Sequence, residues 1–295
     1  MLVLVTISFF MMRLADGGPF TGERAMHPET QAAIEARYGL DRPLHEQYLR
    51  FLGNVLQGDL GPSFVHKDLE VTAIIAQFLP VSLLLGGVAM LLALGCGIAS
   101  GALAAARQNS FRDHSLMTLV MLGVSIPNFV VAPLLQWLFG IWLDWLPVAG
   151  WAGGWESLPF LVLPALTLAA PFAARIAGLT RAGMLEMIHQ DFVRTAHAKG
   201  LHPLWVLFRH ALPGALVPVL GFLGPAVASI LTGSLVVEQI FAIPGLGREF
   251  VDAALNRDYT LVMGTVIIYG GILILANLLA DLGLAVLDPR VRHGD

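Results

Sequence analysis

Twenty-six consecutive positions, 79–104, carry no charged side chain. A helix of about 20 predominantly apolar residues crosses the hydrocarbon core of a bilayer, so this stretch predicts a transmembrane helix. Four more apolar stretches of spanning length follow at 116–141, 159–180, 213–237 and 260–285. The chain is 56% hydrophobic and 13% charged, with a mean hydropathy of +0.73, which excludes a soluble domain with an ordinary solvated surface. The sequence therefore predicts an all-α, polytopic membrane protein.

The N-terminal part divides into a short apolar segment and a long polar one. Residues 1–14 are apolar but too short to span, and we interpret them as a partial first transmembrane helix, through a misplaced start codon or real shortening. The prediction is then about six transmembrane helices. Residues 15–78 predict a small helical cap outside the cytoplasm, with helices at Pro28–Tyr38 and Pro43–Leu56. Residues 79–295 form the predicted transmembrane core.

Three of the predicted spans contain pairs of prolines. Interior proline frees helix carbonyls, which lipid tolerates only where neighbouring helices or a water-filled cavity satisfy them. Kinked helices around a pathway and kinks that serve packing alone both fit this pattern. Gly97 and Gly101 form a small-residue pair that predicts a close helix contact. The prolines are Pro127 and Pro133, Pro164 and Pro171, and Pro218 and Pro225.

The charges of the short loops predict the orientation, because basic residues near span ends stay in the cytoplasm. Nine Lys and Arg residues lie in the turn at 105–115, in the central loop (residues 184–212) with its flanks, and in the C-terminal tail. The opposing short loops, 142–158 and 238–259, hold two. The central loop and both termini are therefore predicted to be cytoplasmic.

The central loop is far more polar than a bilayer core tolerates. Residues 184–198 contain no Gly or Pro and predict one helix, which Gly200 ends, and Pro203 opens a second helix that runs to about Leu212. An amphipathic helix lying in the membrane interface is the alternative that this periodicity leaves open. The apolar face of the first helix consists of Met184, Ile188, Phe192, Thr195 and Ala196.

A second polar loop, at 236–259, lies on the predicted outer side. Ala242–Gly247 predicts a turn built from proline and glycine, followed by an amphipathic helix. A mere connection between spans would have the same pattern. The residues predicted to face inward on this helix are Phe250, Val251, Ala254 and Leu255.

No set of residues predicts a catalytic site. The sequence has neither a P-loop pattern for ATP nor an H-E-x-x-H zinc pattern, and Cys96, its single cysteine, excludes a disulfide framework. His197 and His202 are five positions apart, about 140° on a helix, so we interpret them as solvated loop residues and expect no metal or other cofactor. An intramembrane serine protease would need a His or Lys partner that the sequence does not indicate.

Three polar residues lie near the ends of predicted spans, where intramembrane polar groups are costly. Glu238 is near the outer end of the fifth span, and Asn277 and Asp281 are near the inner end of the sixth. Contact with a substrate and structural pairing both explain such residues. A stand-alone secondary transporter would also need an intramembrane ion site and inverted repeats, and we find no convincing internal repeat.

The central loop resembles the EAA loop of permease subunits in binding-protein-dependent ABC importers, whose pattern is EAA-x3-G-x9-I-x-LP. The run DFVRTAHAKGL followed by RHALP is most similar to the version in oligopeptide and dipeptide permeases. The segments GDLGPSF, EQIFAIPGLG, RDY and NLLADLGLAVLDPRVR resemble the same family. The pattern is matched at Ala196, Gly200, Leu212 and Pro213, while Arg194 and Thr195 stand in place of Glu and Ala, and His210 in place of Ile.

The resemblance implies the fold of a type I ABC importer permease in a bacterial-type inner membrane. Its expected partners are a homologous second permease, two ATPase subunits and an extracytoplasmic solute-binding protein. The chain itself is then no enzyme, since ATP hydrolysis falls to the partner subunits. The implied cargo is peptide, with nickel or glutathione as alternatives.

The resemblance also assigns roles to residues. In the family the loop is a coupling helix that inserts into a groove on the ATPase, with Ala196 and Gly200 permitting close approach and Arg194 and Lys199 forming ion pairs at the rim. Leu212 and Pro213 would set the re-entry into the fifth span. The implied coupling residues are Asp191, Arg194, Thr195, Ala196, Lys199, Gly200, Leu212 and Pro213; those on the side of the binding protein are Glu238, Pro244, Gly245 and Gly247.

Overall fold

The computed structural model describes residues 1–14, 36, 39–66 and 69–287. Within those ranges the chain is helical, and its one extended pairing is an isolated bridge between Pro62 and Glu70. The α-helices are α1 (Leu2–Leu14), α2 (Leu44–Leu56), α3 (Val71–Ala105), α4 (Phe111–Ser125), α5 (Asn128–Leu135), α6 (Leu158–Ile188), α7 (Asp191–Ala198), α8 (Pro203–Val206), α9 (Leu212–Ala215), α10 (Val217–Ile240), α11 (Leu246–Leu255) and α12 (Tyr259–Leu287). Gln136–Trp142 and Leu207–Ala211 are π-helical, and Gly154–Ser157 is a 3₁₀ turn.

The predicted spans are confirmed; most are longer than predicted, whereas the fifth begins at Val217 and not at 213. In the described part of the chain, four helices are long and apolar enough to cross a membrane, and a bent pair of helices makes a fifth span. The short apolar helix Leu2–Leu14 completes the predicted set of about six. The predicted helix Pro43–Leu56 is present as Leu44–Leu56, whereas Pro28–Tyr38 falls outside the described residues except for position 36.

The third span is broken, because α4 and the helical segment that follows it meet at 107°. The break lies at Ile126, which is extended (φ −105°, ψ 122°) immediately before Pro127. A residue that precedes proline is sterically excluded from the helical region, so α4 has to end there. By contrast, Pro133, Pro164 and Pro171 lie inside helices that continue through them.

The described residues divide into two compact units. The larger comprises Val81–Ile243 and the chain from Ile272 onward. Its core is built from buried aliphatic side chains, among them Leu85, Leu168 and Ile230. Here the predicted close helix contact is confirmed: a Cβ atom on Gly101 would lie 2.5 Å from the carbonyl oxygen of Ala177.

The smaller unit comprises Met1–Pro80 and Pro244–Gly271. Phe9 of α1 is fully buried, with its ring centroid 5.2 Å from Tyr48 and 5.6 Å from Phe51 of α2. Asp258 is also buried, and it accepts hydrogen bonds from the Ser63 hydroxyl and from the backbone N–H of Leu261 (3.1 Å). This carboxylate therefore joins the GDLGPSF segment to the RDY segment.

Candidate functional site

The central loop begins with a break that the sequence did not predict. Helix α6 ends at Ile188, Gln190 is extended (φ −73°, ψ 149°), and α7 begins at Asp191, so the single helix expected over 184–198 is wrong. The physical reason is burial. A straight helix would place Met184 and Val193, nine residues apart, about 180° from each other. With the break, both side chains pack into one apolar cluster.

Helix α7 has one face against the body of the larger unit and one face in solvent. Val193 and Ala196 are each 4% exposed and pack with Met184 and Val206. The side chains of Asp191 and Arg194 are 96% and 81% exposed, form an ion pair of 3.6 Å and point away from the protein. Thr195 and Lys199 are also exposed.

The burial of Ala196 changes the interpretation of that residue. We expected its small size to permit close approach to a partner, but its methyl group lies inside the chain's own cluster. Ala196 therefore holds α7 on the core of the larger unit. Leu212 packs at the edge of the same cluster, and Pro213 lies in the first turn of α9.

Gly200 ends α7 as predicted, because its backbone is in the left-handed region that closes a helix. Its φ is +75°, its N–H donates to His197 O (2.9 Å), and the N–H of Leu201 donates to Ala196 O (3.4 Å). This pair of hydrogen bonds is a Schellman motif, in which a left-handed residue closes the helix end. No atom lies within 4 Å of where a Cβ on Gly200 would stand. Position 200 thus requires a left-handed backbone. Within this chain, no other part of the protein packs against it.

The second helix of the loop begins at Pro203, as predicted. It widens into the π-helical segment Leu207–Ala211 and continues as α9. Pro213 has no N–H for a regular helical bond, which accounts for the local widening. Four large apolar side chains of the loop are about half exposed: Phe192 (48%), Leu204 (57%), Trp205 (59%) and Phe208 (53%).

On the predicted outer side, Glu238 is fully buried in the larger unit. Its carboxylate accepts a hydrogen bond of 2.7 Å from the hydroxyl of Ser82, and its backbone carbonyl accepts the N–H of Ile243 (2.9 Å). Of the two explanations left open for Glu238, structural pairing therefore has direct geometric support. Phe241 lies one turn later, and its backbone carbonyl accepts a hydrogen bond from the N–H of Gly150 (2.9 Å).

The remaining predicted outer residues belong to the smaller unit. Gly245 is extended (φ −104°, ψ 164°) and precedes α11, in which Leu246, Gly247 and Ala253 are buried. The predicted inward face is wrong in part, because Ala254 and Leu255 are exposed, Leu255 by 76%. Leu246 and Ala253 are buried and Phe250 is partly buried in one apolar cluster, and their spacing of four and three residues puts them on one face of α11.

An ion pair between α4 and α6 was not predicted. Arg181 donates from Nε to Asp113 Oδ1 (2.8 Å) and from Nη2 to Asp113 Oδ2 (2.7 Å), and the Asp113 side chain is 2% exposed. The N–H of Asn109 adds a bond of 3.0 Å to the carboxylate, and Ser110 caps α4 by accepting the N–H of Asp113. The Ser-x-x-Asp spacing was the available signal, since it is typical of a helix start.

The described residues offer no metal-binding constellation. No group of three His, Cys, Asp or Glu side chains within them is arranged to hold a metal ion. His197 and His202 are both exposed in the loop. What the described part of the chain does present is a membrane-spanning helical body with a structured polar loop fixed to one end of its core.

Comparison with known proteins assigns the class. Residues 97–293 match the family described as binding-protein-dependent transport system inner membrane component, and the chain belongs to that family. It is a multi-pass inner-membrane transport subunit.

The chain is 50% identical over 291 residues to the oligopeptide transport system permease protein OppB of Salmonella typhimurium, covering 99% of this chain and 94% of that protein. It is 44% identical to the dipeptide transport system permease protein DppB of Bacillus subtilis, with 99% and 93% covered. Among solved structures, an inward-facing MetNI methionine ABC transporter matches with a TM-score of 0.60 at 16% identity, over 73% of this chain and 96% of that one. This similarity supports the fold expected from the sequence, that of a type I importer permease.

Proposed function

We propose that the chain is the transmembrane permease subunit of an ATP-driven importer that takes up peptides. A solute-binding protein would deliver the peptide outside, and two separate ATPase subunits would drive transport through the central loop. A homologous second permease would complete the path. The names of the full-length relatives, which are oligopeptide and dipeptide permeases, support the choice of cargo.

The proposal also fixes the orientation and the division of the chain. Residues 1–14 would be a partial first span, 15–78 a cap outside the cytoplasm and 79–295 the transmembrane core. The distribution of basic residues supports cytoplasmic termini and a cytoplasmic central loop. Pro244, Gly245 and Gly247 would then shape the outer loop that faces the binding protein.

The observation that carries the proposal is the solvent face of the central loop. Phe192, Leu204, Trp205 and Phe208 are half exposed and lie in a loop that also presents Arg194 and Lys199. Large exposed apolar side chains rimmed by charge are typical of a protein–protein interface, and aromatic residues dominate the binding energy at such sites. We assign this face to contact with a groove on the ATPase.

The opposite face of α7 supports transmission of force. Val193 and Ala196 pack against Met184, which lies on α6, a 31-residue helix of the predicted fourth span. A displacement of α7 by the ATPase would therefore act directly on that helix. Arg194 and Lys199, both exposed on the loop, would form ion pairs at the rim of the groove. Gly200 would keep the loop in the shape that the groove receives.

Retention of the ATPase by the tagged chain tests the docking assignment. We expect Phe192→Ala and Trp205→Ala each to weaken it by about 2 kcal/mol, roughly thirtyfold in affinity, as for aromatic residues central to an interface. Leu255→Ala is the matched control, because it removes a side chain that is 76% exposed on α11. Full retention in both loop variants, with the subunit at normal level in the membrane, would contradict the assignment.

Uptake into membrane vesicles containing the assembled complex tests the cargo. We expect a radiolabelled oligopeptide to accumulate only with ATP and the binding protein present, and nickel or glutathione not to compete with it. Accumulation without the ATPase would identify a stand-alone transporter and overturn the proposal. Competition by nickel or glutathione would leave the importer assignment and change the cargo.

A further inference from the structure

The smaller unit contains a cavity with three arginines in its wall. Its volume is about 120 Å³, and Arg13, Arg42 and Arg50 border it together with one acid, Asp59. The Oδ1 atom of Asp59 accepts the N–H of Gly61 (2.8 Å). Within the described ranges, no acidic side chain forms an ion pair with any of the three arginines. The cavity therefore carries a surplus of positive charge.

The guanidinium group of Arg13 is held in a fixed position. Its Nε donates to Gln47 Oε1 (2.9 Å), and its central carbon lies 3.8 Å from the centroid of the Phe9 ring. Gln47 is fixed in turn, because its Nε2 donates to the backbone carbonyls of Leu40 (3.0 Å) and Arg42 (2.7 Å). The terminal nitrogens of Arg13 have no acceptor among the residues that the structure describes. They are free to donate in parallel to an oxygen-rich anion such as a phosphate.

The other two arginines converge beside Gly39. A Cβ atom on Gly39 would lie 3.6 Å from Arg50 Nη1 and 3.9 Å from Arg42 Nε, so both side chains reach the same point. Gly39 has a left-handed backbone (φ +66°), which glycine adopts without strain. Cavities that hold drug-sized ligands measure about 300–1,000 Å³, so this cavity admits one compact anionic group and not a peptide.

The cavity lies at the level where a membrane span begins. Helix α1 runs beside the first part of α12, with the Met1 sulfur 3.4 Å from the Cβ position of Gly270. At the other end of α1, Arg13 borders the cavity together with Thr260. The apolar span of α12 begins at Tyr259, so Thr260 stands at the boundary between hydrocarbon and water. Lipid phosphates occupy this boundary.

We propose that this cavity binds the phosphate of an anionic phospholipid, such as phosphatidylglycerol. A carboxylate on a soluble partner would approach from farther outside the hydrocarbon, so the depth of the cavity favours the lipid. Met11 and Leu14 are 67% and 71% exposed next to Arg13 in α1 and offer an apolar surface to the acyl chains. The arginines would repel a headgroup that carries an ammonium. The bound phosphate would join the end of α1 to α2, and this inference does not depend on the cargo proposed above.

Native mass spectrometry of the full-length chain, purified in detergent with any subunits that co-purify, tests the site. The affinity for the first bound lipid is measured with dioleoyl phosphatidylglycerol and, for comparison, with zwitterionic dioleoyl phosphatidylcholine. Arg13→Gln and Arg50→Gln each remove one positive charge from the cavity wall. Arg248→Gln is the matched control, because Arg248 belongs to the same unit but lies on α11, where it pairs with Asp252 (3.9 Å).

We expect phosphatidylglycerol to bind at least about tenfold more tightly than phosphatidylcholine. Each cavity variant should lose about tenfold in affinity for phosphatidylglycerol, because it removes a charge-assisted hydrogen bond, and Arg248→Gln should bind normally. Arg50→Gln is the deciding variant, since the side chain of Arg50 is exposed and its replacement leaves the packing intact. Equal affinities of Arg50→Gln and Arg248→Gln, or no preference for phosphatidylglycerol, would overturn the proposal.

Two further measurements distinguish the lipid from other sources of an anion. Millimolar inorganic phosphate should leave the lipid bound, because it has no acyl chains. Displacement of the lipid by inorganic phosphate would overturn the proposal in favour of a site for free phosphate. Binding of the solute-binding protein is measured in nanodiscs of phosphatidylcholine alone. If Arg50→Gln weakens that binding and leaves the affinity for phosphatidylglycerol unchanged, the arginines serve a carboxylate of the binding protein, and the lipid assignment is wrong.

Discussion

We expect removal of either partner of the Asp113–Arg181 pair to destabilise the protein, and by unequal amounts. The side chain of Asp113 is 2% exposed and that of Arg181 is 26% exposed. Arg181→Ala leaves a buried carboxylate with the N–H of Asn109 as its remaining charge-assisted donor, which should cost about 3–5 kcal/mol. Asp113→Ala leaves a guanidinium that water can reach, so the loss should be about 1.5–3 kcal/mol.

Unfolding in mixed micelles of dodecylmaltoside and sodium dodecyl sulfate, followed by circular dichroism, measures these free energies. The double variant removes both charges, and we expect its loss to be smaller than the sum of the single losses by at least about 1 kcal/mol. Equal losses for the two single variants would refute the argument from unequal burial. Strict additivity would show that the two side chains are not coupled.

Three further variants test other contacts. Gly101→Leu should cost about 1–3 kcal/mol or prevent folding, because its side chain would meet the backbone of α6; the amount of folded protein in detergent measures this. Ser63→Ala should lower the stability of the smaller unit by about 1–3 kcal/mol, since it removes a donor to buried Asp258, and the Tm reports it. Glu249→Gln should raise the Tm only at pH values well above 4.5, because burial raises the pKa of Glu249 more than His66 at 3.5 Å lowers it.

Each of these variants has a control or a contradicting result. Gly95→Leu lies on the same helix as Gly101, but no atom is within 4 Å of its Cβ position, so normal folding is expected. Ser115→Ala removes a hydroxyl that bonds to the carbonyl of Phe111 in its own helix, and the Tm should hardly change. The folded state favours the protonated form of Glu249. The charged carboxylate therefore destabilises the folded protein once the pH rises above its pKa. A gain in Tm below pH 4.5 would contradict that sign.

The features that the sequence predicted depend on short stretches of chain. The apolar run at 79–104 predicted a span because its length and lack of charge suffice. The turn at Gly200 was predictable because a glycine after an amphipathic helix indicates a left-handed cap. The helix start at Pro203 follows from proline being favoured in the first turn. None of these depends on distant residues.

The features that were missed require contacts between distant residues. Asp113 and Arg181 are 68 positions apart, and Ser63 and Asp258 are 195 apart, so no local pattern pairs them. The break after Ile188 likewise serves to bury Val193 beside Met184 and has no glycine or proline to indicate it. Tertiary packing decides such cases over local propensity.

The cap of α7 makes the shape of the central loop depend on stereochemistry. At φ +75°, the backbone of residue 200 is in the region that L-residues avoid and their mirror images favour, although an L side chain would meet nothing within 4 Å. The position therefore discriminates handedness and not volume. A D-amino acid placed at position 200 by semisynthesis would close the turn as glycine does. Its side chain could carry a spectroscopic label there, whereas a label attached elsewhere would distort the loop.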